Sequence, residues 1–159
     1  MKTMFLAFAL SALLASCAMA QVPEKRNEVS LGIGDAGVIW IVQDAFGEDV
    51  SPQFFVGYQR RFGRWAGLGL TASYVDVKAF ELTTMAAEAR GHWLRRPRVD
   101  LYSGLALGVI SQTGCVDPAT FPAIQLVLFG IRFGGETGGF FESGIGTNGF
   151  LKVGFSQRL

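Results

Sequence analysis

The chain has 159 residues, 50% hydrophobic and 17% charged, which suffices for one domain and excludes disorder as its dominant state. Lys and Arg total 14 against 13 Asp and Glu, so no nucleic-acid-binding surface is expected. Two Cys and one His are too few for a structural zinc centre or a disulfide scaffold, and no metal or cofactor is expected.

The first element is an export signal. Lys2 precedes an apolar run from Met4 to Leu14, and small residues lead to an A-x-A cleavage site at Ala18-Met19-Ala20. Cleavage there leaves 21–159 as a single domain. Leu14-Ala15-Ser16-Cys17 also resembles a bacterial lipobox, a minor reading in which Cys17 is lipidated. Either way the chain leaves the cytoplasm. No later run approaches ~18 consecutive apolar residues, so a mature chain that crosses a membrane must do so as a closed barrel.

From residue 28 onward the hydrophobic period is two, the period of strands. Val29, Leu31 and Ile33 alternate with Glu28, Ser30 and Gly32. Phe54, Val56 and Tyr58 alternate with Gln53, Gly57 and Gln59, and Leu68, Leu70, Ala72 and Tyr74 with Gly67, Gly69, Thr71 and Ser73. Met85, Ala87, Ala89 and Trp93 alternate with Glu88, Arg90 and His92. Val99, Leu101, Leu105, Leu107 and Val109 alternate with Asp100, Tyr102, Gly104 and Gly108. Residues 123–133 carry Gln125 and Arg132 on opposite parities, which predicts a bulge or a change of facing. Residues 140–147 carry Glu142, Gly144 and Gly146 on one face. Leu151, Val153 and Phe155 close the series, alternating with Lys152, Gly154, Ser156 and Arg158. The pattern predicts an all-β, eight-stranded, up-and-down antiparallel barrel.

Connections alternate in length. Long or medium loops are expected at 35–51, 76–81 and 111–122, and short turns at Gly63-Arg64, 95–98 and 134–139. The long loops are acidic and the short turns basic, as suits a molecule held in one orientation. In the last hairpin, facing predicts a three-residue loop, Thr147-Asn148-Gly149, with Gly146 opposite Phe150 and Glu142 diagonal to Lys152.

Strand count, alternation, loop asymmetry, the signal peptide and the final strand 150–159 together resemble the small eight-stranded outer-membrane β-barrel proteins, the OmpA/OmpX-like, porin-like group. The likeness covers 28–159. Such barrels usually end on an aromatic residue; here Leu159 ends the chain, with Phe155 on the same face. The resemblance implies a transmembrane barrel in the bacterial outer membrane with a structural or surface-interaction role. Its implied partners are outer-membrane lipid and lipopolysaccharide, the barrel-assembly machinery, and a surface partner reached through loops 35–51 and 111–122.

It also implies apolar residues towards lipid and polar ones inside. Arg61, Glu88, Arg90, His92, Asp100, Glu142, Lys152 and Arg158 then form a structural charge cluster in a narrow interior, because a lipid-facing Arg or Lys at mid-bilayer costs about 2–4 kcal/mol. Phe62, Trp65, Trp93 and Phe141 would mark one membrane interface, and Phe54 and Tyr74 the other.

No catalysis is expected. His92 and Asp100 could form two-thirds of a hydrolase triad, but outer-membrane lipid A deacylases place a Ser two residues after their His, and position 94 is Leu. The Gly-x-Gly pairs at 32–34, 67–69 and 144–146 open no helix, so they mark close backbone approach rather than a nucleotide loop. The alternative function is a soluble exported, lipocalin-like barrel that binds an apolar small molecule, with every facing reversed.

Overall fold

A computed structural model describes residues 27–35, 52–77, 80–114 and 119–159. The export signal with Cys17, residues 36–51 and Cys115 lie outside the described residues. Eight strands follow one another: β1 (Asn27–Gly34), β2 (Gln53–Phe62), β3 (Ala66–Val77), β4 (Phe80–Arg95), β5 (Val99–Thr113), β6 (Ala119–Gly134), β7 (Thr137–Gly146) and β8 (Leu151–Arg158). Each pairs antiparallel with the next, and β8 pairs with β1, for example Leu31 opposite Phe155. The molecule is thus an all-β, closed, up-and-down barrel.

The alternation in sequence becomes a radial division. Leu31, Phe54, Val56, Leu68, Leu70, Met85, Leu107, Ile145 and Phe155 point outward and are exposed. The intervening residues point in, and many are polar and buried, among them Glu28, Gln59, Glu88, Asp100 and Lys152. The inward glycines make room. A Cβ on Gly32 would overlap the Phe55 ring, and one on Gly154 the Phe140 ring. Those two rings meet edge to face inside, centroids 5.7 Å apart. The close approach expected at 67–69 and 144–146 is also present: Gly67 and Gly69 lie against the side chain of Gln59, and Gly144 and Gly146 against that of Gln125.

Two bulges adjust the facing. On β6, Val127 is opposite Gly144 but Phe129 is opposite Ser143, so one extra residue, Leu128, is inserted. Leu128 and Phe129 both face out, after which Gly130 and Arg132 return to the interior. This is the shift that the opposite parities of Gln125 and Arg132 predict. On β4, Trp93 is the extra residue between His92 opposite Tyr102 and Leu94 opposite Leu101.

The loop expectations are corrected at three places. Asp76 and Glu81 are not in a medium loop; they sit opposite each other on β3 and β4. The 111–122 loop is shorter than expected, since Ser111 pairs with Thr120 and Val109 with Pro122. Thr, Ser and Gln suit an extended backbone as well as a loop. Pro122 is tolerated because β6 runs past the end of β7, which first pairs at Gln125, so one backbone row there has no partner strand in the ladder. In the last hairpin, Glu142 lies directly opposite Lys152, not diagonal to it, and Gly144 N donates to Phe150 O. The register therefore moves by two residues while the facing stays. The cause lies outside the hairpin: Asp35 accepts from the amides of Phe150 (2.6 Å) and Leu151 (2.7 Å), and Thr147 N donates to Ile124 O (3.0 Å).

Candidate functional site

The interior is the candidate site, and its side chains fall into three groups. At mid-height, Glu88 and Arg90 are two residues apart on β4 and therefore share the inner face. Arg90 grips Glu88 with two hydrogen bonds, 2.7 and 3.1 Å, and reaches Glu142 at 2.8 Å. The Tyr102 hydroxyl donates to Glu142 at 2.7 Å, and Lys152 Nζ lies 4.0 Å from the same carboxylate. The Arg90 guanidinium is 4.6 Å from the centre of the Tyr102 ring, close enough for a cation–π contact. Two cations thus meet two anions, and the group is neutral. The cavity beside it is about 10 Å³, room for about one water.

Towards the short turns, Glu28 on β1 and Asp100 on β5 hold a set of arginines. Glu28 pairs with Arg61 on β2, with Arg158 on β8 at 3.5 Å and with Arg132 on β6 at 3.5 Å. Asp100 accepts from His92 Nδ1 at 2.8 Å and from Arg158 Nη2 at 3.1 Å, with Arg61 at 3.5 Å. Arg132 closes this end. Its Nε donates to Ser156 Oγ at 2.6 Å, and its terminal nitrogens to the carbonyls of Gly134, Gly135 and Glu136 at 2.9–3.2 Å. The guanidinium thereby satisfies the carbonyls of the β6–β7 turn.

Towards the opposite end the buried side chains are uncharged, while the Asp35 carboxylate holds the amides of Phe150 and Leu151. Gln125 Oε1 accepts from Asn148 N at 2.8 Å, and its Nε2 donates to Gly149 O at 2.9 Å. Gln53 Nε2 donates to the carbonyls of Asp35 (3.1 Å) and Asn148 (3.0 Å), while its Oε1 accepts from Ser73 Oγ at 2.8 Å. Val75, Leu82, Ile110 and Ala123 form a small apolar cluster at this end.

All eight residues singled out from the sequence, Arg61, Glu88, Arg90, His92, Asp100, Glu142, Lys152 and Arg158, are inside the barrel, none with a side chain more than 11% exposed. They do not form one cluster. Glu88, Arg90, Glu142 and Lys152 belong to the neutral group, and Arg61, His92, Asp100 and Arg158 to the arginine-rich one. Sequence reasoning missed Glu28, Arg132 and Tyr102. Glu28 shares the parity of Ser30 and could have been found by it. Arg132 was hidden by the bulge at Leu128.

The aromatic residues expected to form two bands all face outward. Phe62, Trp65 and Trp93 are exposed at the short-turn end and Phe54 and Tyr74 at the other, while Phe141 is half-buried. Phe133 and Phe155 join the first band and Phe121 the second. No protein-family model matches the chain, and no curated protein matches it in sequence.

Proposed function

We propose that this chain is an exported outer-membrane β-barrel of the OmpA/OmpX-like kind, with a narrow, side-chain-filled polar interior and a structural or surface-interaction role. One observation carries the reading. Ten Asp, Glu, Lys, Arg and His side chains are buried inside, whereas among the described residues the outward strand face carries charge only near its ends, at Arg60 on one side and Asp76 and Glu81 on the other. On β4 the uncharged outward stretch runs from Thr83 to Trp93. At ~3.4 Å per residue and a tilt of ~40° it covers about 25 Å along the barrel axis, the height of an outer-membrane apolar band.

A soluble carrier of an apolar molecule needs the reverse. Its binding pocket would be an apolar cavity of about 300–1,000 Å³, while the interior here is packed with ion pairs. The larger apolar depression, about 530 Å³, is on the outside, between Val56, Leu70, Met85 and Leu107. Acyl chains are its natural covering in this reading. Catalysis is not part of the proposal. Among the described residues no hydroxyl hydrogen-bonds His92, whose Nε2 has no partner. The interior charges serve folding, and the long connections present the surface for lipopolysaccharide or a protein partner.

The test is expression with the N-terminal segment intact in a bacterium that has an outer membrane. The expected result is a detergent-extracted outer-membrane species whose gel mobility in SDS changes on boiling. Recovery in the soluble periplasmic fraction, with no heat-dependent mobility, would overturn the membrane reading.

A further inference from the structure

The apolar depression on the outer wall has a defined course. Gly57, Thr71, Ala86 and Gly108 stand directly opposite one another on β2, β3, β4 and β5 and make its floor. Their neighbours along each strand point outward and make its walls, Val56 and Met85 on one side and Tyr58, Leu70 and Leu107 on the other. Ala72 and Ala87 stand in the same two walls but are too short to close the furrow. The groove of about 530 Å³ is within the size range of a pocket for one small molecule. From Val29 on β1 to Leu107 on β5 it crosses four strand-to-strand steps, about 19 Å at ~4.8 Å each. That exceeds the ~15 Å of hydrocarbon in one leaflet, so an acyl chain lying obliquely in the groove keeps apolar contact along most of its length.

The two ends of the groove differ. Val29 is close to the start of β1, at the short-turn end, whereas Met85 and Leu107 are mid-strand. The groove therefore opens towards the short turns and runs out at mid-height. Polar groups stand at the open end, where the Tyr58 hydroxyl donates to Asn27 Oδ1 at 2.9 Å. Arg60 is two residues on from Tyr58 on the same outward face and opposite Asn27 in the β1–β2 register. Its guanidinium leans over Phe62, 5.9 Å from the ring centre, and so towards the aromatic band at the short-turn end. Asp76 and Glu81, the acidic pair of the outward strand face, are at the opposite end of the barrel. An anionic headgroup is thus attracted at the open end of the groove and repelled at the other end of the molecule.

We propose that this groove holds one anionic phospholipid of the leaflet on the short-turn side. Its acyl chain follows the floor from Val29 to Leu107, its phosphate meets Arg60, and its glycerol-ester region adjoins Tyr58 and Asn27. The inference rests on the outer-membrane proposal above. The sign of the charge selects the headgroup. A guanidinium offers a fork of donors that matches a phosphate. Among the described residues no carboxylate of the outward strand face lies at this end to hold the ammonium of a zwitterionic headgroup.

Native mass spectrometry of the folded chain in a neutral detergent counts bound lipids directly. The probes are phosphatidylglycerol and phosphatidylcholine with identical acyl chains, added in equal amounts. The expected result is one bound phosphatidylglycerol, preferred about tenfold or more over phosphatidylcholine, as one charge-assisted hydrogen bond predicts. Arg60→Gln should abolish that preference. Ala87→Phe, which fills the furrow, should weaken both lipids alike, and Leu126→Phe, on the outward face of β6 away from the groove, should weaken neither. Heat-dependent mobility in SDS verifies that each variant is folded, and the comparison of the two lipids on the unaltered chain decides the matter if a variant does not fold. Equal binding of the two lipids by the unaltered chain, an unchanged preference in Arg60→Gln, or equal effects of Ala87→Phe and Leu126→Phe would overturn the lipid site. Any of these in a chain that fractionates with the outer membrane and shifts on boiling leaves the membrane proposal standing, whereas recovery as a soluble periplasmic protein removes both.

Discussion

At the short-turn end Arg132 binds three turn carbonyls, and carboxylates from β1 and β5 hold arginines from β2, β6 and β8. At the other end Gln53 and Gln125 bind the main chain of Asp35, Asn148 and Gly149 with no formal charge. Both ends are closed by side chains that satisfy turn backbone, yet they fail differently. Loss of a neutral amide leaves an unpaired dipole; loss of a carboxylate leaves several buried cations facing one another. The charged end is therefore where single substitutions should do most harm.

The largest effect is expected for Asp100→Ala. Asp100 is fully buried and contacts His92, Arg61 and Arg158. Breaking a deeply buried ion pair costs about 3–5 kcal/mol, and here the arginines left behind also repel. Urea unfolding of the barrel in lipid vesicles should show a lower midpoint by that amount. A midpoint within error of the parent would mean that water enters this end freely and screens the cluster.

Next is Leu70→Arg, which tests the outside rather than the inside. Leu70 lies mid-strand on β3 and is 66% exposed. In a bilayer a central outward Arg costs about 2–4 kcal/mol; on a soluble barrel an exposed surface substitution stays within about ±0.5 kcal/mol. Refolding yield and unfolding midpoint in vesicles separate the two cases.

Glu142→Ala should be milder than Asp100→Ala, at about 1.5–3 kcal/mol, the value of a hydrogen bond to a charged group. Arg90 keeps both of its bonds to Glu88, so only Lys152 and the Tyr102 hydroxyl lose their main partner. If the two substitutions proved equal, the division of the interior into a neutral and an arginine-rich group would fail.

The outer face was legible in the sequence because strand alternation is local: Leu68, Leu70 and Ala72 announce their own facing. Three things were not. Polar strand ends such as Ser111, Gln112 and Thr120 read as loop, because hydrogen bonding to a neighbouring strand leaves no mark on composition. A change of facing between Gln125 and Arg132 was legible, but not that Arg132 ends up inside, because the inserted residue, Leu128, belongs to a bulge set by three strands together. The last hairpin was placed two residues off because Asp35 anchors Phe150 and Leu151 across more than a hundred residues of chain. The charge cluster was legible as an inward set, but its division into two groups depends on strand stagger, which alternation does not encode.

The smallest effects belong to the neutral end, and there a pair of substitutions sharpens the contrast. Asn148 is only 1% exposed, yet its side chain makes one long contact, 3.5 Å to Ser73 Oγ. The turn is held through its main chain: Asn148 N and Gly149 O both bind Gln125, and Asn148 O binds Gln53. Gln125→Ala removes two of these bonds and leaves a buried amide and a buried carbonyl unpaired, at about 1–3 kcal/mol. Asn148→Ala leaves every main-chain bond in place and should cost about 1 kcal/mol or less. Amide exchange at Asn148 reports the difference directly, faster in Gln125→Ala than in the parent. If Asn148→Ala instead proved the more damaging, the turn would be held by the Asn148 side chain rather than by its backbone, and the neutral end would depend on side-chain partners just as the charged end does.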